Sequence, residues 1–176
     1  MRLPPLPDEQ WDDQTRAALT GVLPEHRRNP LGAGNALATL VRHPDLAEAF
    51  LAFHSHLLHR STLPPRLREL AILRVVKRRG CVYEWTHHVR LAAQVGLSEA
   101  EIHAAGDGEA TGELDAAVLR AVDELDANSN LSDQTWTILA EHLDERQLMD
   151  LVFTIGAYCL LAMALTTFGV EPEHER

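Results

Sequence analysis

Residues 63–102 read LPPRLRELAILRVVKRRGCVYEWTHHVRLAAQVGLSEAEI, and this stretch decides the fold. Pro64 and Pro65 suit a first helical turn, where no N–H is needed, and Ser61 or Thr62 just before them can supply a cap. Arg66 to Arg79 then carries apolar residues at helical spacing, and Gly80 is a natural stop. Cys81 to Val95 makes a second helix, ended by Gly96. Ser98-Glu99-Ala100-Glu101 is a capping box that opens a third. On the second helix Val82, Trp85, Val89 and Ala92 form an apolar stripe expected to be buried. Cys81, Glu84 and His88 run along its border.

The helical period continues in both directions, and strand alternation is nearly absent. Towards the N-terminus, a helix is expected from about Asp8 to Val22, a loop from Pro24 to Gly34, and a short helix from Asn35 to Val41. His43-Pro44 ends that helix, since a residue before proline avoids the α region. Another helix covers Asp45 to about His59. Towards the C-terminus, Leu114, Ala117, Val118, Ala121, Val122 and Leu125 mark an amphipathic helix, and Ser132 caps one running through Leu143. Asp144-Glu145-Arg146-Gln147 is a second capping box. It opens a long apolar helix that ends at Gly169. The expectation is an all-α, single-domain bundle of about eight helices over residues 1–176.

Length and composition agree with one globular domain: 176 residues, 45% apolar and 24% charged. Acids outnumber bases 26 to 16, a net charge of −10, which repels phosphate backbones and speaks against a nucleic-acid partner. Two cysteines, Cys81 and Cys159, are too few for a disulfide framework. The start MRLPPLPDEQWDD has no apolar core of a secretory signal, so a cytoplasmic location is expected. Leu151 to Val170 lacks any charge and is long enough to span a bilayer. Its flanks Glu145, Asp150, Glu171 and Glu173 are acidic, where an anchor usually carries Lys or Arg. A helix buried on all sides, in a bundle centre or an oligomer interface, is the expected reading, with no membrane.

The polar constellation with chemical potential is Glu69, Cys81, Glu84, His87 and His88. Cys81 and Glu84 are spaced i, i+3 and Glu84 and His88 i, i+4, so all three share a helix face. A carboxylate beside an imidazole raises its basicity and fixes its tautomer, which is the minimal kit for general acid–base chemistry. The alternative is an ordinary surface pair. Glu69 falls on the buried side of the preceding helix and needs a partner; Arg66 or Arg68 could supply one. Two carboxylates near one imidazole should raise its pKa. His87 lies about 100° round the helix. Arg74, on a mostly apolar helix, is the best candidate for binding a substrate carboxylate, with His87 as a second binding residue. His54, His56 and His59 are too few ligands on shared faces for a metal site, so no metal is expected.

The Glu69–Cys81–His88 spacing, with the pieces RELAILRV, YEWTHHVRLA, GLSEAEI and FTIGAYCLLAMALTTFGV, resembles the carboxymuconolactone decarboxylase / alkylhydroperoxidase D-like superfamily over roughly Leu37 to Val170. The resemblance implies an alkylhydroperoxidase D-like helical fold assembling into trimers or hexamers. In the alkylhydroperoxidase D branch a Glu and a His flank a Cys-x-x-Cys redox pair. Glu69, Cys81 and His88 match three of these positions, and Glu84 stands where the second cysteine belongs. That removes the resolving thiol of a disulfide relay. The Glu84–His88 spacing is similar to the decarboxylase branch, which needs no thiol pair.

The function expected is therefore a cofactor-independent lyase or isomerase acting on a small unsaturated organic acid or lactone. His88 would be general acid or base, Glu84 its orienting partner, Glu69 a second proton acceptor or anchor, and Cys81 a pocket-lining residue. The alternatives are a non-catalytic oligomeric helical binding or scaffold protein, and a single-cysteine thiol peroxidase.

Overall fold

A computed structural model describes residues 1–173 of the chain. Among these the elements are all helical: α1 (Asp13–Ala17), α2 (Pro30–Leu40), α3 (Pro44–His59), α4 (Pro65–Arg78), α5 (Val82–Gln94), α6 (Glu99–Asp107), α7 (Glu113–Asn128), α8 (Asp133–His142) and α9 (Glu145–Phe168). Single 3₁₀ turns cover Asp8–Gln10 and Glu25–Arg27. The backbone forms two compact units. One is Met1–Arg60 with the described residues from Ala164 onward, and the other is Ser61–Met163.

In the first unit, the single helix expected over Asp8–Val22 is instead a 3₁₀ turn followed by α1. The Asp12 carboxylate accepts from the Thr15 N–H at 2.8 Å and so restarts the helix there. Leu6, Trp11, Leu19, Val41 and Leu51 belong to this unit's apolar core. The Trp11 indole N–H donates to the Leu6 carbonyl at 3.0 Å, so its polar atom is satisfied on burial. α2 is broken at Gly34, whose φ of 72° is cheap for glycine alone. The expected loop up to Gly34 thus survives as a kink.

The second unit is organised by α4, which packs against α5, α6 and α7. Its buried residues include Leu67, Leu70, Ala71, Ile72, Leu73, Val75 and Val76, and also Glu69. Neither Ser61 nor Thr62 caps it. Both hydroxyls and the Thr62 N–H donate to Asp150 Oδ2, at 3.0, 2.9 and 2.6 Å. α4 tolerates the loss because two prolines at its start leave fewer N–H groups to satisfy. The two capping boxes form. Ser98 and Glu101 bond reciprocally ahead of α6. Asp144 and Gln147 exchange two 2.9 Å bonds ahead of α9.

The expectation that the apolar helix is buried on all sides is not met. Leu151, Ile155, Tyr158, Leu161 and Ala162 are buried, whereas Met149, Phe153, Leu160 and Met163 are 61%, 52%, 55% and 48% exposed. Those four follow helical spacing and make one open apolar face. By length and composition α9 is apolar enough to cross a membrane, but half of its most apolar window is buried inside the protein, as in a core helix.

Candidate functional site

The apolar stripe of α5 turns fully inward only at Ala92. Val82 is 64% exposed and Trp85 and Val89 are half-buried, while Glu84 and His88 are 7% and 3% exposed. The polar face can be buried because α4 supplies its partner. His88 Nδ1 lies 2.7 Å from Glu69 Oε2, and His88 Nε2 lies 3.3 Å from Glu84 Oε2. Both ring nitrogens therefore face carboxylates, one from each of two adjoining helices. Buried charges persist when paired in this way.

Of the two arginines that could have paired with Glu69, Arg68 makes a long 3.4 Å contact to Oε1. Arg66 turns away to Asp115 and Glu101, each at 2.7 Å. With Arg68 at its edge, the cluster holds two carboxylates, one imidazole and one guanidinium. Burial alone would push the His88 pKa down. The hydrogen bonds to Glu69 and Glu84, and their charges, override it and raise it from 6.5 to about 9. At neutral pH the ring is an imidazolium that donates from both nitrogens.

This arrangement sets an acid beside a base. The imidazolium has a proton to give, and Glu84 is a carboxylate able to take one. Glu69 is the deeper anchor: its side chain is 1% exposed, that of His88 is 4% and that of Glu84 is 9%. Cys81 occupies the N-cap position of α5, one turn from Glu84, and is itself buried. It lines a cleft of about 140 Å³ with Val76, Lys77, Gly80, Val82 and Trp85. The Lys77 ammonium lies 4.9 Å from the Trp85 ring centroid, a cation–π arrangement.

Glu69, Glu84 and His88 are thus brought together, with Cys81 at the margin. The two residues expected to bind substrate make the following contacts. Arg74 donates to both oxygens of Asp123, at 2.8 and 3.0 Å, and to the Gly106 carbonyl at 2.8 Å. Its guanidinium is committed to α6 and α7. The His87 ring packs on Tyr83 with centroids 4.6 Å apart. Tyr158 of α9 is a neighbour that the sequence did not single out. Its ring meets that of His88 edge-on, with centroids 4.9 Å apart. Burial and the charges of Glu84 and Glu69 hold its phenol well above its ordinary pKa, so it stays neutral.

An all-helical unit with a buried carboxylate–imidazolium–carboxylate cluster between adjoining helices is the class of protein defined here. Residues 44–127 match the Carboxymuconolactone decarboxylase family. Three solved structures share the fold. A putative antioxidant defence protein AhpD from Agrobacterium tumefaciens is 23% identical, with 76% of this chain and 94% of that one covered and a TM-score of 0.67. The debrominase Bmp8 is 20% identical, with coverage of 97% and 91% and a TM-score of 0.74. An uncharacterized peroxidase-related protein from Ralstonia eutropha JMP134 is 16% identical, with coverage of 98% and 94% and a TM-score of 0.75. No curated protein matches the chain. Over residues 44–127 the chain is similar to the Carboxymuconolactone decarboxylase family, and its fold is that of the AhpD-like structures.

Proposed function

We propose that the protein is a cytoplasmic, cofactor-independent enzyme of the lyase or isomerase type. Its substrate is a small unsaturated organic acid or lactone, and its chemistry is proton transfer through the Glu84–His88–Glu69 cluster. The observation that carries this reading is the buried imidazolium held between two carboxylates. Decarboxylation, eliminative lactone opening and double-bond migration of such acids can each pass through an enolate or dienolate. An enolate carbon needs a proton donor, and a carbon acid needs an acceptor. The His88 imidazolium and the Glu84 carboxylate are those two groups, within hydrogen-bonding reach of each other. Glu69 keeps the imidazolium charged while Glu84 exchanges protons.

The same reading includes self-association. The open face of α9 at Met149, Phe153, Leu160 and Met163 is the surface proposed to meet further copies of the chain, in a trimer or hexamer.

The test is turnover of a panel of small unsaturated acids and lactones, followed by product analysis. The reading expects one of them to be converted by the wild-type protein, and His88→Gln to lower the rate by ~10²–10⁴. A substrate whose conversion depends on Cys81 and is indifferent to His88 would point instead to thiol chemistry.

A further inference from the structure

The two contacts on His88 fix it unequally. Nδ1 is 2.7 Å from Glu69, and Nε2 is 3.3 Å from Glu84. A ring tethered at Cβ and at Nδ1 is pinned along one line. It can still tilt about that line, and the tilt carries Nε2 off Glu84. The longer contact is therefore the one that needs support from elsewhere.

Tyr158 of α9 packs against this imidazole. Its ring is perpendicular to the imidazole, at 89°, with centroids 4.9 Å apart. Perpendicular aromatic pairs at roughly 4.5–7 Å are favourable in themselves. The wall is firmly backed. Tyr158 is 1% exposed, and Thr154, Ile155, Leu161 and Ala162, one turn away on either side along α9, are all buried. The groups facing His88 come from three helices: Glu69, with Arg68 behind it, from α4, Glu84 from α5 and Tyr158 from α9.

We propose that Tyr158 is a positioning residue of this site, its ring acting as a perpendicular stop that keeps His88 Nε2 directed at Glu84. The proposal takes its purpose from the proton-transfer reading, but its geometry exists in the free protein. It assigns a role to the ring and none to the hydroxyl. It also gives α9 a place in the site, beyond its part in the core.

The test is NMR of the substrate-free protein labelled with ¹⁵N-histidine, following the ring N–H protons of His88 at neutral pH. The wild-type protein is expected to show two slowly exchanging ring N–H signals. Tyr158→Phe keeps the ring and should keep both. Tyr158→Leu removes the aromatic ring; Nε2–H should then exchange at least tenfold faster while Nδ1–H stays protected by Glu69. If Tyr158→Leu does not fold, judged by circular dichroism, Tyr158→Met carries the same expectation. Protection of both protons in the Leu or Met variant overturns the proposal. So does equal loss of both, which would mean that the cluster has come apart, and so does loss of Nε2–H protection in Tyr158→Phe. If Nε2–H loses protection in Tyr158→Leu while turnover stays at the wild-type rate, the positioning role stands and the proton-transfer reading fails.

Discussion

His88 and Glu69 are 2.7 Å apart in space and nineteen residues apart in the chain, on two successive helices. The bond occupies Nδ1 on the deep side of the imidazole, and the longer 3.3 Å contact to Glu84 lies at Nε2. The consequences are measurable before any substrate is known.

The shorter contact should dominate the proton affinity of His88. Glu69→Gln is expected to lower its pKa from about 9 by more than Glu84→Gln does. A ¹H–¹³C NMR titration of the His88 ring in each variant gives the order directly. Equal shifts would show that the two carboxylates share the charge evenly.

The same pKa gives stability a pH dependence of definite sign. The folded value of about 9 lies above the ordinary 6.5. The unfolded chain therefore binds the proton less tightly, and the cluster's contribution is complete below pH 6.5. It is lost as pH rises through 9, and its size is on the order of 3 kcal/mol. Tm should fall between pH 7 and 10 in the wild-type protein, and this part of the slope should vanish in His88→Gln. A Tm that rises over that range would contradict the assignment.

Kinetics should rank the polar residues of α5. Once a substrate is known, His88→Gln should cost the most in kcat, Glu84→Gln less and His87→Gln least. His87 packs on Tyr83, so its loss should leave the Glu69–His88–Glu84 contacts intact.

Dithiol peroxidase activity is expected to be absent. Glu84 occupies the position of a resolving cysteine, and neither Cys81 nor Cys159 is in a disulfide. Burial pushes the Cys159 thiol up despite the nearby Arg79, which disfavours the reactive thiolate. Steady turnover of an organic hydroperoxide with a thiol reductant, abolished in Cys81→Ser, would contradict this.

Self-association through α9 should be broken by one charge on its open face. Phe153→Asp is expected to shift the protein to a smaller species in size-exclusion chromatography with light scattering. A wild-type chain that is already monomeric at micromolar concentration would remove the interface.

Much of the fold was legible because helix punctuation is local. Gly80, Gly96, Ser98 and Ser132 act within one turn of themselves, and each stands at or beside a helix boundary. The site was legible only in part. Glu84 and His88 share a face by spacing alone, and the family resemblance added Glu69. The inward face of α5 was misjudged because side-chain polarity says nothing of a partner arriving from another helix. Glu69 makes burial of Glu84 and His88 affordable, and Val82 is left outside. The partner of Arg74 was hidden for the same kind of reason: Asp123 lies on α7. Tyr158 was hidden in an apolar run, where an aromatic residue reads as core. Its polar tip on a buried helix face was the available signal.

The central claim is that the His88 cluster moves protons to and from carbon. Deuterium incorporation into small unsaturated acids and lactones in D₂O, followed by ¹H NMR, tests this most directly. The account predicts exchange at the α or γ carbon of a converted compound, and a loss of ~10²–10⁴ in that rate in His88→Gln. Exchange at the wild-type rate in His88→Gln, with the fold intact by circular dichroism, would contradict it.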